Sequence, residues 1–349
     1  MGKKEIIYNE DNSFIAQSSS IEWNNLCNNS VLITGATGLI GATIVRGIME
    51  YNRLNADNIK LYALVRNREK AEKMFADYME DSTLSLVEGD INTFDEFLPD
   101  VDYIIHGASV TASKDFVTKP VETIMTAIEG TRNILELARR KKVKGMVYMS
   151  SMEVYGTPLN EQPLTEERMG YLNPLAVRSS YSESKQMVEN LCVAYSSEYQ
   201  VPVKIIRLTQ TFGPGVAADD GRVFAEFARC ATMGKDIRLQ TTGATQRMYL
   251  YTADAATAIL TVLTQGKPGT AYNAANMDTY CSIREMADLV AEHFGNKKCN
   301  VVLDIPDTPN ASYNPICHVY LDCGRLEALG WKARVGLVDM YHRMIECME

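Results

Sequence analysis

Tyr181 and Lys185 stand four residues apart in a run that reads as the start of a helix, so both side chains leave one face about one turn apart. A phenol titrates near ~10, too high for a base at neutral pH unless neighbouring positive charge favours the phenolate. The Lys185 ammonium supplies such a charge. Tyr181 so placed takes the proton from a substrate hydroxyl as hydride leaves the same carbon. Ser151, at the end of the strand pattern Met146–Met149, donates a hydrogen bond to the reacting oxygen. With 18 tyrosines in the chain, a Tyr-x-x-x-Lys pair by itself is close to chance. Its place after that strand, and downstream of a glycine turn, gives it meaning.

The turn is Gly35-Ala36-Thr37-Gly38-Leu39-Ile40-Gly41, which follows an apolar strand and opens an amphipathic helix. Glycine lets the chain turn sharply and brings backbone N–H groups close to a pyrophosphate at the positive end of the helix. At the end of the second strand, where many dinucleotide sites place an acid for the ribose hydroxyls, the chain carries Arg66. A guanidinium there pairs with a 2′-phosphate, so the expectation is NAD or NADP with a lean toward NADP. Asp90 and Ile91, just past the third strand, are expected beside the adenine.

These residues need a frame. From Val31 the sequence alternates short β-branched or aromatic runs with helix-length amphipathic stretches: Val31–Thr34 then Leu39–Leu54, Ile59–Val65 then Glu69–Met79, Leu84–Val87, Tyr103–His106 then Val121–Arg140, and Met146–Met149. That is βαβ repetition, and it predicts an α/β fold with a Rossmann-type doubly wound parallel sheet. A helix at Ser182–Tyr199, a strand at Val203–Leu208 and the loop Phe212-Gly213-Pro214-Gly215 complete it. The expected division is an N-terminal extension over 1–29, the dinucleotide-binding domain over 30–214, and a smaller C-terminal α/β substrate-binding lobe over 215–349, with the chain free to cross between the last two. The polar first 29 residues, anchored by Trp23 and Leu26, read as an extension strapped onto the domain, with regular structure beginning at Val31.

Composition narrows the class. Hydrophobic residues make up 46% and charged residues 23%, which excludes disordered and collagen-like chains. A net charge of −9 argues against general binding to nucleic acid or an anionic membrane. The eight cysteines form no C-x-x-C pair and no zinc spacing with the four histidines, so no metal is expected and the thiols read as reduced. No signal-peptide pattern or apolar run of membrane-spanning length appears, and the expected location is cytoplasmic.

The chain resembles the extended short-chain dehydrogenase/reductase superfamily, in its NAD(P)-dependent epimerase/dehydratase branch acting on nucleotide sugars. The resemblance rests on Thr34 through Gly41, Gly89-Asp90, His106 through Ser109, Ser150 through Gly156, Tyr181 through Lys185, Arg207 through Gly215 and Leu329-Gly330-Trp331. It implies that Ser151, Tyr181 and Lys185 are catalytic, with Glu153 beside them, and that the glycine turn, Asp90 and Ala108 line the cofactor. It implies that Arg207 opens the segment passing the nicotinamide and that Arg247 holds the diphosphate of a nucleotide-sugar substrate. Ser109, Gln210 and Arg222 join Arg247 as expected substrate contacts. It further implies a homodimer paired through the helices at Val121–Arg140 and Ser182–Tyr199.

Three departures bear on the reaction. Ala127 stands where relatives usually carry Asn, and His318-Val319-Tyr320-Leu321-Asp322 replaces an Arg-Pro-Asp stretch that often accompanies UDP or dTDP binding. Met152-Glu153 replaces the Asp-Glu pair of 4,6-dehydratases. Oxidising C4 of a sugar to a ketone acidifies C3–H and C5–H and labilises a β-carboxylate, so one oxidation serves epimerisation, decarboxylation and dehydration. Dehydration needs an acid as well as a base, and Met152 cannot donate a proton. The expected order is epimerisation, narrowly, then decarboxylation of the UDP-glucuronate type, then dehydration. An NADP-dependent keto-sugar reductase is the alternative of another reaction class, and a non-enzymatic redox-sensing binder has no use for the intact triad.

Overall fold

The computed structural model describes residues 2–93, 100–306 and 316–348. Regular structure starts well before Val31: Lys3–Ala16 forms a helix, α1. Ile15 and Ala16, with Ile21, Trp23 and Leu26 after them, belong to the main apolar core. Trp23 stacks on Tyr51 with ring centroids 4.0 Å apart. Gly47 lets α1 come this close, because a Cβ there would lie 2.5 Å from the Ile15 side chain. The polar residues of α1 are not all solvated, for the Tyr251 hydroxyl donates to Asp11 at 2.6 Å and Arg343 pairs with Asp11 at 3.3 Å.

The nucleotide-binding sheet follows as Ser30–Thr34 (β1), Leu39–Asn55 (α2), Lys60–Val65 (β2), Arg68–Met74 (α3), Leu84–Glu88 (β3), Tyr103–His106 (β4), Asp115–Thr118 (α4), Pro120–Lys141 (α5), Gly145–Ser151 (β5), Ser180–Tyr199 (α6) and Val203–Leu208 (β6). Beyond it come Gln210–Phe212 (β7), Val223–Thr232 (α7), Ile237–Leu239 (β8), Gln246–Tyr251 (β9), Thr252–Gln265 (α8), Ala271–Ala274 (β10), Asn276–Ser282 (β11), Ile283–Phe294 (α9), Val301–Leu303 (β12), His318–Val319 (β13), Gly324–Glu327 (α10) and Leu337–Cys347 (α11).

The central sheet has seven parallel strands in the order β10-β6-β5-β4-β1-β2-β3. The order reverses between β1 and β4, and ligands of such sheets bind beyond the strand ends at that switch point. β10, which pairs with β6, comes from residues after 214. β7, β11 and β13 gather around β9 in a second small sheet, and β12 pairs with β8. Together with α7 and α9 these form the smaller lobe.

The apolar stripes of α5 and α6 face inward. Leu135, Val188 and Tyr195 are buried in the cluster under the sheet, with Ile128 and Leu191 packed against it. Their remaining surface exposes Val121, Met125, Met187 and Val193. No described helix is long and apolar enough to cross a membrane.

Candidate active site

A cavity of about 880 Å³ opens at the switch point. Three glycines build its floor. Gly35 has φ +72° and a Cβ on it would lie 2.9 Å from the Ala108 amide nitrogen, while a Cβ on Gly41 would lie 2.2 Å from the Gly35 carbonyl. Gly38 caps α2 without a side chain, leaving the helix N-terminus open to an anion. Thr34 secures the facing loop, its Oγ1 accepting from the amides of Gly107 and Ala108 at 3.2 Å each. The same oxygen lies 2.7 Å from His106 Nδ1, and His106 Nε2 lies 3.0 Å from Thr131 Oγ1, tying β1, β4 and α5 together. Burial and the Lys185 charge push the imidazole down to about 3, so it serves as a neutral bracket.

Gly35, Thr37, Gly38, Leu39, Ile40, Gly41, Arg66, Asp90, Ile91 and Ala108 all line this cavity. A cradle that any Cβ would fill is the feature a pyrophosphate requires, and the residues present fit the cofactor.

At the far end β5 delivers Ser151 and α6 delivers Tyr181 and Lys185 into the same cavity, with Glu153 beside them. Tyr181 is stacked on Phe116 at 4.2 Å. Burial raises its phenol above the ordinary value and the nearby Glu153 raises it further; a hydrogen bond with Ser151 and the charge of Arg178 act the other way. The Lys185 ammonium donates to the Met149 carbonyl at 2.9 Å, and its burial lowers it to about 8. Glu153 accepts from Arg178 Nη2 at 3.1 Å on both oxygens and from the Ser182 hydroxyl at 3.3 Å.

Ser109, Gln210, Arg222 and Arg247 also line the cavity. They differ in readiness. Arg222 is engaged with Asp220 at 2.6 Å, whereas Arg247 has a buried Nε with no partner. An unpaired guanidinium nitrogen in a cleft is a place for an anionic ligand.

Arg207 departs from expectation. It does not line the cavity; it is buried and donates to Glu189 (2.7 Å from Nη2), to the Tyr155 hydroxyl and to the Glu166 carbonyl. The reason is Glu189, one turn after Lys185 on α6, whose carboxylate captures the guanidinium under the sheet. Arg178 was not singled out from sequence. It sits on the short turn before α6, and the signal is a cation three residues ahead of Tyr181 with a carboxylate near that Tyr.

The doubly wound sheet, the glycine cradle and the Ser, Tyr and Lys at the switch point define a dinucleotide-dependent dehydrogenase-type site. Residues 31–275 match the model of the NAD dependent epimerase/dehydratase family, and the chain belongs to that family. It is an enzyme of the nucleotide-sugar epimerase, dehydratase and decarboxylase group, and its cofactor is NAD in the family's own description. Among similar proteins, UDP-glucuronic acid decarboxylase 3 of Arabidopsis thaliana is 29% identical over 311 residues, 89% of this chain and 86% of the relative. UDP-glucuronic acid decarboxylase 1 of Xenopus tropicalis is 26% identical over 90% of this chain and 71% of its own. A dTDP-glucose 4,6-dehydratase from Streptomyces venezuelae, solved with NAD, superposes with TM-score 0.76 at 24% identity, covering 91% of this chain and 96% of the other. A UDP-glucuronic acid 4-epimerase from Bacillus cereus, solved with UDP-glucuronic acid and NAD, gives TM-score 0.75 at 18% identity over 91% and 98%. These two likenesses establish the fold.

Proposed function

We propose that the protein decarboxylates a nucleotide-linked hexuronate, a UDP-glucuronate-type substrate, through a 4-keto intermediate, using the bound dinucleotide without net consumption. The observation that carries this reading is Glu153, lining the cavity with Tyr181 and held there by Arg178 and Ser182. Simple C4 epimerisation needs no second acid or base, and dehydration needs two. Decarboxylation needs one, to protonate C5 after carbon dioxide has left. The preference for epimerisation drawn from sequence gives way on this point, and the decarboxylase relatives support the change.

When bound, the nicotinamide supplies the acceptor and later the donor of hydride at C4. The chain's own residues do the rest. Tyr181 takes the C4 hydroxyl proton, Lys185 favours its phenolate and Ser151 donates to the C4 oxygen. With C4 a ketone, the C5–C6 bond breaks, carbon dioxide leaves and the electron pair moves onto the C4 oxygen, where Ser151 and the Tyr181 hydroxyl stabilise it. Glu153, as the carboxylate that Arg178 holds, orients a water through which a proton from solvent reaches C5, so that one solvent proton replaces the carbon dioxide lost. Arg247 holds the diphosphate, with Arg222, Gln210 and Ser109 along the sugar path. The exposed apolar residues on α5 and α6 support pairing of two copies through those helices.

Incubation with UDP-, dTDP-, GDP- and CDP-linked hexoses and hexuronates, followed by mass analysis, tests the reading. The expected product is a UDP-pentose formed with loss of carbon dioxide. Unchanged mass with an altered sugar makes the enzyme an epimerase; loss of water or gain of two hydrogens makes it a dehydratase or a reductase.

A further inference from the structure

Tyr181 and Glu153 impose conflicting demands on one small space. The phenol must ionise to accept a proton, and a carboxylate next to it disfavours that ionisation. Glu153 does raise the Tyr181 phenol, and the Arg178 charge acts in the opposite sense. Arg178 is mostly covered, with side-chain exposure of 19%, and among the described residues its hydrogen bonds go to Glu153 alone. Its guanidinium carbon lies 4.8 Å from the centroid of Phe116, the ring that stacks on Tyr181 at 4.2 Å. Phe116 is 2% exposed and its carbonyl accepts from the Ser180 hydroxyl at 2.8 Å, which fastens α4 to the start of α6. Guanidinium and phenol therefore share one rigid support, and the carboxylate is fixed to the guanidinium.

We infer that Arg178 is the positioning residue of this site: it fixes the Glu153 carboxylate and balances its charge, so that Glu153 and an ionisable Tyr181 can work side by side. Nothing in a simple oxidation at C4 calls for it; the need arises once a carboxylate is placed beside the phenol. The inference rests on Glu153 acting in the reaction, as set out above. Other charged or titratable groups face the pair. Lys185 lies 5.7 Å from the Tyr181 ring and 4.7 Å from that of Tyr148 on β5, and Cys317 feels the charges of both Arg247 and Glu153. None of them contacts the Glu153 carboxylate by a hydrogen bond among the described residues.

The test compares the wild type, Arg178→Gln, Arg178→Lys, Glu153→Gln and the double variant Arg178→Gln/Glu153→Gln. Oxidation at C4 is followed by the near-ultraviolet absorbance of reduced cofactor after mixing the NAD-loaded protein with UDP-glucuronate and, separately, with UDP-glucose. In Arg178→Gln the pH profile of this half-reaction moves to the alkaline side, and adding Glu153→Gln moves it back. Product formation in Arg178→Gln falls of the order of 10- to 100-fold, as misplacement of a reacting group does, and Arg178→Lys recovers part of it. On product formation the double variant is no worse than Glu153→Gln alone, since Arg178 acts through Glu153. An unshifted profile, or losses in the double variant that multiply, overturns the inference. Because UDP-glucose has no carboxylate to lose, failure of decarboxylation alone leaves this comparison standing. Crystal structures supply a readout free of turnover: the Glu153 carboxylate leaves its place in Arg178→Gln, and finding it unmoved overturns the inference as well.

Discussion

The ammonium of Lys185 donates to the backbone carbonyl of Met149 at 2.9 Å while lying 5.7 Å from the ring of Tyr181. It is buried to 3% exposure, and that burial holds it at about 8, below its ordinary 10.5. Two consequences follow in opposite directions for activity and stability. Above pH about 8 the free enzyme loses this charge, so kcat/KM falls on the alkaline side, and Lys185→Met is inactive at every pH. Because the folded protein binds this proton less tightly than the unfolded chain, the ammonium costs stability below about 8 and the cost fades as pH rises toward 10.5. Lys185→Met therefore unfolds at an equal or higher temperature than the wild type at neutral pH. Thermal scans beside pH–rate profiles check both; a large loss of stability in Lys185→Met contradicts the account.

Arg207 and Glu189 form an ion pair in which both side chains are nearly covered, 8% and 10% exposed. Removing one member leaves the other buried without its partner, a loss of about 3–5 kcal/mol. Arg207→Met and Glu189→Met each lower the urea midpoint sharply, and the double variant recovers part of the loss. NAD affinity of the folded fraction stays within about twofold, because Arg207 lies outside the cavity, whereas a cofactor-contacting arginine loses about 1.4 kcal/mol for each tenfold weakening.

Arg66, just past the end of β2, lines the cavity and is exposed. A guanidinium there accepts a 2′-phosphate without being needed by a 2′-hydroxyl. NADH binds the wild type, and Arg66→Asp weakens NADPH by about tenfold or more while sparing NADH, since a repelled phosphate loses of order 1.4 kcal/mol or more. Fluorescence titration of both nucleotides decides it; equal weakening of the two removes Arg66 from the 2′ position.

Asp11 is raised to about 7 and Asp254 to about 6, chiefly by burial. Tyr251, Arg343, Glu10 and Asp254 surround Asp11, and the backbone amides of Arg334 and Val335 donate to Asp254. A carboxyl whose folded value lies above its unfolded one contributes stability that is full below the unfolded value and is lost as pH rises through the folded one. Stability of the α1 contact thus declines from about pH 4 to about 7. Asp11→Asn keeps an acceptor for the Tyr251 hydroxyl and flattens that slope. Hydrogen exchange of the α1 amides across this range is the measurement, and a slope unchanged in Asp11→Asn refutes the assignment.

The sheet and the cofactor cradle are legible because their signals are local. β-branched runs, amphipathic helices and Gly35-Ala36-Thr37-Gly38 each state their own geometry. α1 was not, since its buried side includes Asp11 and Asn12 and its apolar residues form no continuous stripe. β10 was not, because Ala-Tyr-Asn-Ala reads as a loop until Asn273 is seen donating to the carbonyls of Leu164 and Asp322. Arg207 misses its expected part, and Arg178 escapes notice, for a similar reason: which carboxylate captures a guanidinium depends on Glu189 and Glu153, and their proximity is created only by folding. The reaction was the least legible, since Ser151, Tyr181 and Lys185 serve every branch alike.

The first helix also orders events during synthesis. Its contact at Gly47 is available soon after α2 has emerged, but Tyr251 and Arg343, the partners of Asp11, lie 240 and 332 residues further along. Until those residues leave the ribosome, Asp11 stays hydrated and the surface of α1 that meets α8 and α11 stays bare. Long-range contacts of this kind form late, because closing so large a loop comes before any reward. The nascent nucleotide-binding half therefore carries an uncovered flank on α1 until α8 and α11 have been made.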